Sequence, residues 1–190
     1  MTTTTTTAKP NLAFDIDETL SNTVLYYVQE MQKRFGNPEF LSAEEIIQKY
    51  RYTQDVPYWN NEKAREWVQK AIYNDELQEK LPLIQQSEVY APKVAEILNL
   101  TCYLTIRPES VVPGTKKWLD THKFPEAQII AKPFLDNDTA GSVWKAKKLL
   151  SLSPKIEAIV DDNIALVQTF DNLETNYQGT IFLFGHETKP

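Results

Sequence analysis

The chain has 190 residues, 42% of them hydrophobic and 11% aromatic, and a formal net charge of -6. That length and apolar content suffice for one packed core carrying an insertion or a small second lobe, and the acidic balance disfavours nucleic acid as a general partner, because phosphate contacts rely on concentrated Lys and Arg. A single cysteine, Cys102, excludes an intrachain disulfide framework, and no stretch approaches the ~20 apolar residues of a membrane helix. The start, Met1 followed by Thr2 to Thr7, lacks the cationic and apolar regions of a secretory signal. A cytoplasmic protein is the expectation, and residues 1–9 read as a disordered, low-complexity tail.

The first element is the run Leu12-Ala13-Phe14-Asp15-Ile16-Asp17-Glu18-Thr19-Leu20. Carboxylates are poor strand formers, so an apolar run ending in Asp-x-Asp marks the carboxyl edge of a strand, where open α/β sheets place ligands. Hard oxygen donors with few histidines nearby favour Mg2+ over zinc. Helical spacing follows over residues 22–35, with Val24, Leu25, Val28, Met31 and Phe35 on one face and Gly36-Asn37-Pro38 as the stop. Helices are also predicted over residues 42–50, where Ser42 and Glu45 form a capping-box pattern, and over 61–73 and 75–80. Tyr50, Tyr52, Tyr58 and Trp59 cluster in this stretch, placed either to stack on a substrate ring or to fill the core of the helical segment.

From Pro92 onward the pattern alternates. Helix is expected over 94–99, strand over 101–105, helix over 113–121, strand over 128–131, helix over 142–150, strand over 156–160, helix over 164–170 and strand over 180–184. Such alternation predicts an α/β fold with a Rossmann-like parallel sheet and helices on both faces. Cys102 sits in an apolar strand and reads as a packing residue. His122 and His186 lie away from every polar cluster and read as non-catalytic.

Four segments in order carry a resemblance: Asp15-Ile16-Asp17-Glu18-Thr19, the strand Cys102 to Thr105 with Ile106-Arg107 beyond it, Trp144-Lys145-Ala146-Lys147-Lys148-Leu149, and Ile159-Val160-Asp161-Asp162-Asn163. Together they resemble the four motifs of the haloacid dehalogenase-like hydrolase superfamily, specifically its phosphatases, over residues 12–184. The resemblance implies a catalytic core of residues 10–21 and 90–190 and a small all-helical cap inserted at 22–89. It also implies a Mg2+-dependent hydrolase of a small phosphomonoester working through an aspartyl-phosphate. Asp15 would be the nucleophile and Asp17 the acid and base, the second acid being a mark of the phosphatases. Thr105 would donate its hydroxyl to a phosphoryl oxygen.

Lys145 would neutralise charge, with Lys132, Lys147 and Lys148 as alternatives, and Mg2+ would be held by Asp15, Asp161 and Asp162 and by the backbone carbonyl of Asp17, Asp161 being favoured over Asp162 as the direct ligand. Arg107 is placed either to bind a substrate anion or to face solvent, and Tyr52 and Trp59 are candidates for substrate binding from the cap. Glu18 reads as a capping or solvated acid. A nucleotide is one substrate the resemblance allows, as for 5'(3')-nucleotidases, and a polynucleotide 3'-phosphatase is another. A different class, a non-catalytic regulatory or scaffold protein on the same fold, predicts eroded motifs. The expected partners are a small phosphate ester and no membrane, in a monomer or homodimer.

Overall fold

The computed structural model describes residues 8–50, 52–173 and 177–185. His186 and Thr2 to Thr7 lie outside the described residues. Five parallel strands form one sheet in the order β3-β2-β1-β4-β5, with β1 at Asn11–Phe14, β2 at Asn99–Pro108, β3 at Gln128–Lys132, β4 at Ala158–Asp161 and β5 at Thr180–Leu183. The α/β class and the parallel sheet are as the alternation predicts.

Side chains alternate across a strand, and the sheet uses both sides. Leu12 and Phe14 face one layer with Tyr103, Trp118 and Phe124, while Ala13 faces the other with Cys102, Leu104, Ile159 and Leu166. Helix α6 (Val112–Thr121) covers the first face, and α7 (Gly141–Leu152) and α8 (Ile164–Asn172) cover the second. The chain thus moves outward from β1 to β3, then returns to β4 and β5 on the far side of β1. The crevice between the carboxyl ends of β1 and β4 is therefore the topological switch point, where this architecture opens a binding site.

Between β1 and β2 lie α1 (Thr23–Phe35), α2 (Ala43–Tyr50), α3 (Glu62–Ile72), α4 (Asp75–Gln78) and α5 (Ser87–Ile97). Gly36, at φ +83, ends α1 as its lack of a Cβ allows. The capping box forms reciprocally, with the Glu45 amide donating to Ser42 Oγ at 3.1 Å and the Ser42 amide to the Glu45 carboxylate at 2.7 Å. This inserted segment has an apolar cluster of its own around Val28, Met31, Ile46, Val56 and Trp59, and Trp67 joins it to the main core. Its entry and exit are tied together: the Ile84 amide donates to Leu20 O and the Asn22 amide to Pro82 O, both at 2.8 Å. Among the described residues no helix is long and apolar enough to cross a membrane.

One predicted element is corrected. The helix expected over 94–99 starts seven residues earlier, at Ser87, and Asn99 already belongs to β2. The alternating pattern is read from Pro92 onward, yet Pro92 lies inside α5, where burial of Ala91 and Val94 against the main core outweighs the missing amide donor. The expected boundary between residues 89 and 90 thus falls within that helix.

Candidate active site

Asp15 follows β1 directly, and its amide continues the ladder by donating to Val160 O at 2.9 Å. The sheet therefore fixes its carboxylate at the crevice, almost fully buried. Lys145, one turn into α7, reaches it from the other face: Nζ lies 2.7 Å from Asp15 Oδ1 and 2.7 Å from Asp161 Oδ2. Asp161 is the last residue of β4, and its other oxygen accepts the Asn163 amide at 2.8 Å. Asn163 caps α8 through the Ala165 amide at 2.9 Å.

One buried cation thus faces several carboxylates. Burial pushes the Asp15 carboxyl well above the usual range, Lys145 opposes this, and the nearby Asp161 and Asp17 charges add to the rise. Burial, with Asp161 beside it, lifts Asp162 to about 6. Burial works against the charge on Lys145, but Asp15 and Asp161 overcome it and hold the ammonium protonated. Asp15, Asp161 and Asp162 each offer an oxygen within 4.8 Å of the others. A purely carboxylate donor set with surplus buried negative charge fits a hard divalent cation such as Mg2+.

Asp17 lies in different surroundings. Arg107, from the end of β2, grips both its oxygens, with Nε at 3.1 and 3.0 Å and Nη2 at 2.7 Å. The same guanidinium donates to Ser21 Oγ at 2.9 Å and to Thr115 Oγ1 at 3.2 Å. Thr23 Oγ1 donates to Asp17 at 2.5 Å. Burial works to raise this carboxyl, yet the charge and hydrogen bonds of Arg107, aided by Thr23, outweigh it and hold it below the usual range. Arg107 is therefore not solvated, as one reading allowed, but committed to Asp17.

Thr105 is fully buried, accepts the Arg107 amide at 3.1 Å and points its hydroxyl at Asp17 Oδ2, 3.5 Å away. Glu18, at φ +58, turns back so that its carboxylate accepts the Val24 amide at 2.7 Å in the first turn of α1, the capping role expected of it.

A cavity of about 320 Å3 opens over Asp15, lined also by Glu18, Tyr52, Lys145, Asp161, Asp162 and the start of α7 at Gly141 and Ser142. That helix start has no side-chain cap, and its first two residues line the cavity, which leaves first-turn amides at its edge without a side-chain partner. Gly141 packs closely there: a Cβ would sit 3.1 Å from Ile106 Cδ1, so a larger residue would press on that side chain.

The structure brings Asp15, Asp17, Thr105, Arg107, Lys145, Asp161 and Asp162 to one sheet edge, and Tyr52 reaches it from the inserted segment. It does not bring Trp59. That ring is buried in the segment's own cluster, and its indole N–H donates to Gly36 O at 2.8 Å, so the substrate-binding expectation for Trp59 is corrected. Tyr58 packs edge-on against it. Lys132, the alternative to Lys145, instead donates to the carbonyl oxygens of Asn137 and Thr139. Lys147 is exposed, and His122 packs on the Trp118 ring. Ser21, Thr23 and Thr115, the hydroxyls that complete the Asp17 and Arg107 network, gave no sequence signal because isolated hydroxyl residues are ordinary.

No family profile matches the sequence, and comparison with curated proteins finds no relative. Among solved structures, a chain of the Pnkp1/Rnl/Hen1 RNA repair complex superposes with a TM-score of 0.52 at 14% identity, over 92% of this chain and 42% of that one. A chain in a second structure of the Pnkp1/Rnl/Hen1 complex gives 0.52 at 15% identity, over 94% and 46%. A protein described as a haloacid dehalogenase-like hydrolase, from Burkholderia xenovorans LB400, gives 0.46 at 11% identity, over 92% and 83%. The chain spans less than half the length of the two RNA-repair chains. At these identities the likeness is one of fold alone, a parallel sheet with flanking helices.

Proposed function

We propose that this protein hydrolyses a phosphomonoester, with Asp15 as the nucleophile. The observation that carries the reading is the Asp15 carboxylate at the switch point, buried with Lys145 at 2.7 Å and with Asp161 and Asp162 close by. A phosphate ester repels nucleophiles because its oxygens are anionic, so the site must neutralise that charge and align attack. Lys145 and the free amides of α7 supply positive charge and donors on the side where such oxygens would lie. Asp15, Asp161 and Asp162 would hold Mg2+, which when bound adds charge neutralisation and orients the phosphoryl group.

A carboxylate oxygen of Asp15 attacks phosphorus as the bond to the leaving oxygen breaks; a leaving group of low pKa departs as its anion, and a poorer one needs Asp17 first to take up a proton from solvent and pass it to the departing oxygen. Water then attacks the aspartyl-phosphate, Asp17 takes its proton, and the bond between Asp15 and phosphorus breaks to release inorganic phosphate. The grip of Arg107 keeps Asp17 ionised, which suits the second half of this cycle. Esters whose leaving groups need little protonation are therefore expected to react fastest.

The test is turnover of p-nitrophenyl phosphate and acetyl phosphate with Mg2+ and with EDTA. Activity is expected only with the metal, and Asp15→Asn is expected to lower kcat at least about 10^3-fold while the circular dichroism spectrum is unchanged. Near-normal activity in Asp15→Asn would overturn the assignment of the nucleophile. A complete lack of turnover in the wild-type protein would favour the non-catalytic class instead.

A further inference from the structure

The two edges of the sheet are built differently. At one, β3 ends on Lys132 and lies between Pro125 and Pro133, with Glu126 just ahead of it. Proline and charge blunt an edge, because another strand cannot complete the ladder there without losing a hydrogen bond or burying an ion. At the other edge, residues 178–185 around β5 hold no charge and no proline. Among the described residues no strand lies beyond β5.

Alternate backbone groups of β5 are already committed. The Thr180 amide donates to Glu157 O at 2.8 Å and the Phe184 amide to Asp161 O at 2.9 Å, so these residues, and Phe182 midway between them, turn toward β4. The N–H and C=O groups of Ile181 and Leu183 therefore point away from the sheet. The side chains of Thr180, Phe182 and Phe184 share one face, and both phenylalanine rings stay exposed on it. Thr180 and Phe182 also line a cavity of about 500 Å3, together with the apolar surface of Pro10, Leu98, Pro154 and Ile156.

We infer that β5 is a pairing edge and that its occupant is a second copy of this chain, joined antiparallel about a two-fold axis at Phe182. Two-fold pairing sets a strand against its own image, so the strand must carry no charge and its free backbone groups must match themselves. β5 meets both demands. With Phe182 on the axis, Ile181 of each copy faces Leu183 of the other, and the outward N–H and C=O groups of both residues find partners. The two Phe182 rings then meet at a non-hydrogen-bonded position, where side chains on opposite strands approach most closely. Phe184 of each copy falls opposite Thr180 of the other, beside the groove that Thr180 lines. The pairing ends at Gly185, whose φ of +75 takes the backbone out of the extended line.

An unrelated strand would gain the backbone bonds without the symmetric ring pair or the matched groove. Charge favours the same choice. Two chains of net charge -6 repel one another, and a charge-free strand lets them meet where that repulsion is least.

The experiment measures the mass of the full chain by sedimentation equilibrium between about 1 and 300 µM. It compares the wild-type protein, Phe182→Lys, Phe182→Glu and an equimolar mixture of the two variants. Phe182 is half exposed and belongs to none of the apolar clusters, so both variants are expected to melt close to wild type. The wild-type chain is expected to dimerise with a micromolar dissociation constant, as an edge contact smaller than a standard interface implies. Each variant sets like charges face to face on the axis and is expected to dimerise at least about 100-fold more weakly. The mixture sets Lys against Glu and is expected to form a heterodimer within about tenfold of the wild-type affinity.

A wild-type chain that stays monomeric throughout would overturn the proposal and leave the edge to a strand from another source. Undiminished dimers in both variants would place the contact elsewhere on the molecule and overturn it equally. Folded, monomeric variants whose mixture is also monomeric would overturn the register centred on Phe182.

Discussion

Asp15 and Asp17 share one loop, and different parts of the fold neutralise them. Around Asp15 the sheet core supplies a single lysine, which it must share with Asp161, and the local charge stays negative. Around Asp17 a guanidinium fork and a threonine hydroxyl occupy the carboxylate almost completely, and its charge is held in place. The first environment has room for a cation and an anionic ligand; the second has no unmet demand. One residue of separation thus divides a place where charge can arrive from a place where charge is kept.

The most forceful way to break this contrast is Lys145→Met, which leaves Asp15 and Asp161 buried without the ammonium they share. It is expected to lower kcat for p-nitrophenyl phosphate at least about 10^3-fold and to cost about 3–5 kcal/mol in urea unfolding. A variant as stable as wild type would show that the lysine is not the balancing charge. Trp59→Ala touches neither carboxylate and serves as the contrast's control. Emptying that buried site is expected to cost about 3–5 kcal/mol, with the same relative activity toward large and small esters; a selective loss on bulky substrates would return the ring to the site.

Arg107→Lys sharpens the Asp17 side, since an ammonium keeps the charge and loses the fork. A loss of about 2 kcal/mol is expected, with the fall in kcat/KM growing along a series of worsening leaving groups. A loss that is equal across the series would detach Arg107 from the acid. The smallest effect concerns pH and metal. Burial, with Asp17 and Asp162 nearby, lifts Glu18 to about 7, and burial with Asp161 lifts Asp162 to about 6. Acids raised in the folded state favour it below their unfolded pKa values and withdraw that support as pH climbs through the folded ones. The metal-free protein is therefore expected to lose stability from the ordinary carboxylate range up to about pH 7, and the rise in Tm on adding Mg2+ to be larger at pH 8 than at pH 5. An equal rise at both would separate these acids from the metal.

Much of the edge was readable in the chain because carboxylates after apolar runs are anomalous: Asp15, Asp17, Asp161 and Asp162 each break a strand pattern. Lys145 was named through the resemblance alone, with Lys132, Lys147 and Lys148 beside it, because nothing in the spacing of lysines on one helix says which of them reaches the two carboxylates. The partner of Asp17 was not, since Arg107 lies 90 residues away in sequence and a lone Arg after a strand has many uses. Aromatic residues misled for a related reason. Trp59 and Tyr52 both belong to an inserted helical stretch, and only the packing of that segment decides that the first fills its interior while the second reaches the cavity over Asp15. Pro92 hid the start of α5 because a local rule was overridden by tertiary burial.

Lys145 is moored twice, to a group at the end of β1 and to another at the end of β4. If Asp15 is phosphorylated in turnover, as proposed, the second mooring is untouched, because Asp161 takes no part in bond making. The ammonium would then stay on station while its other neighbour changes identity, and when the acyl phosphate is hydrolysed the freed carboxylate would find its counter-ion where it left it. Such a site would reset itself with no side chain needing to be recruited from elsewhere.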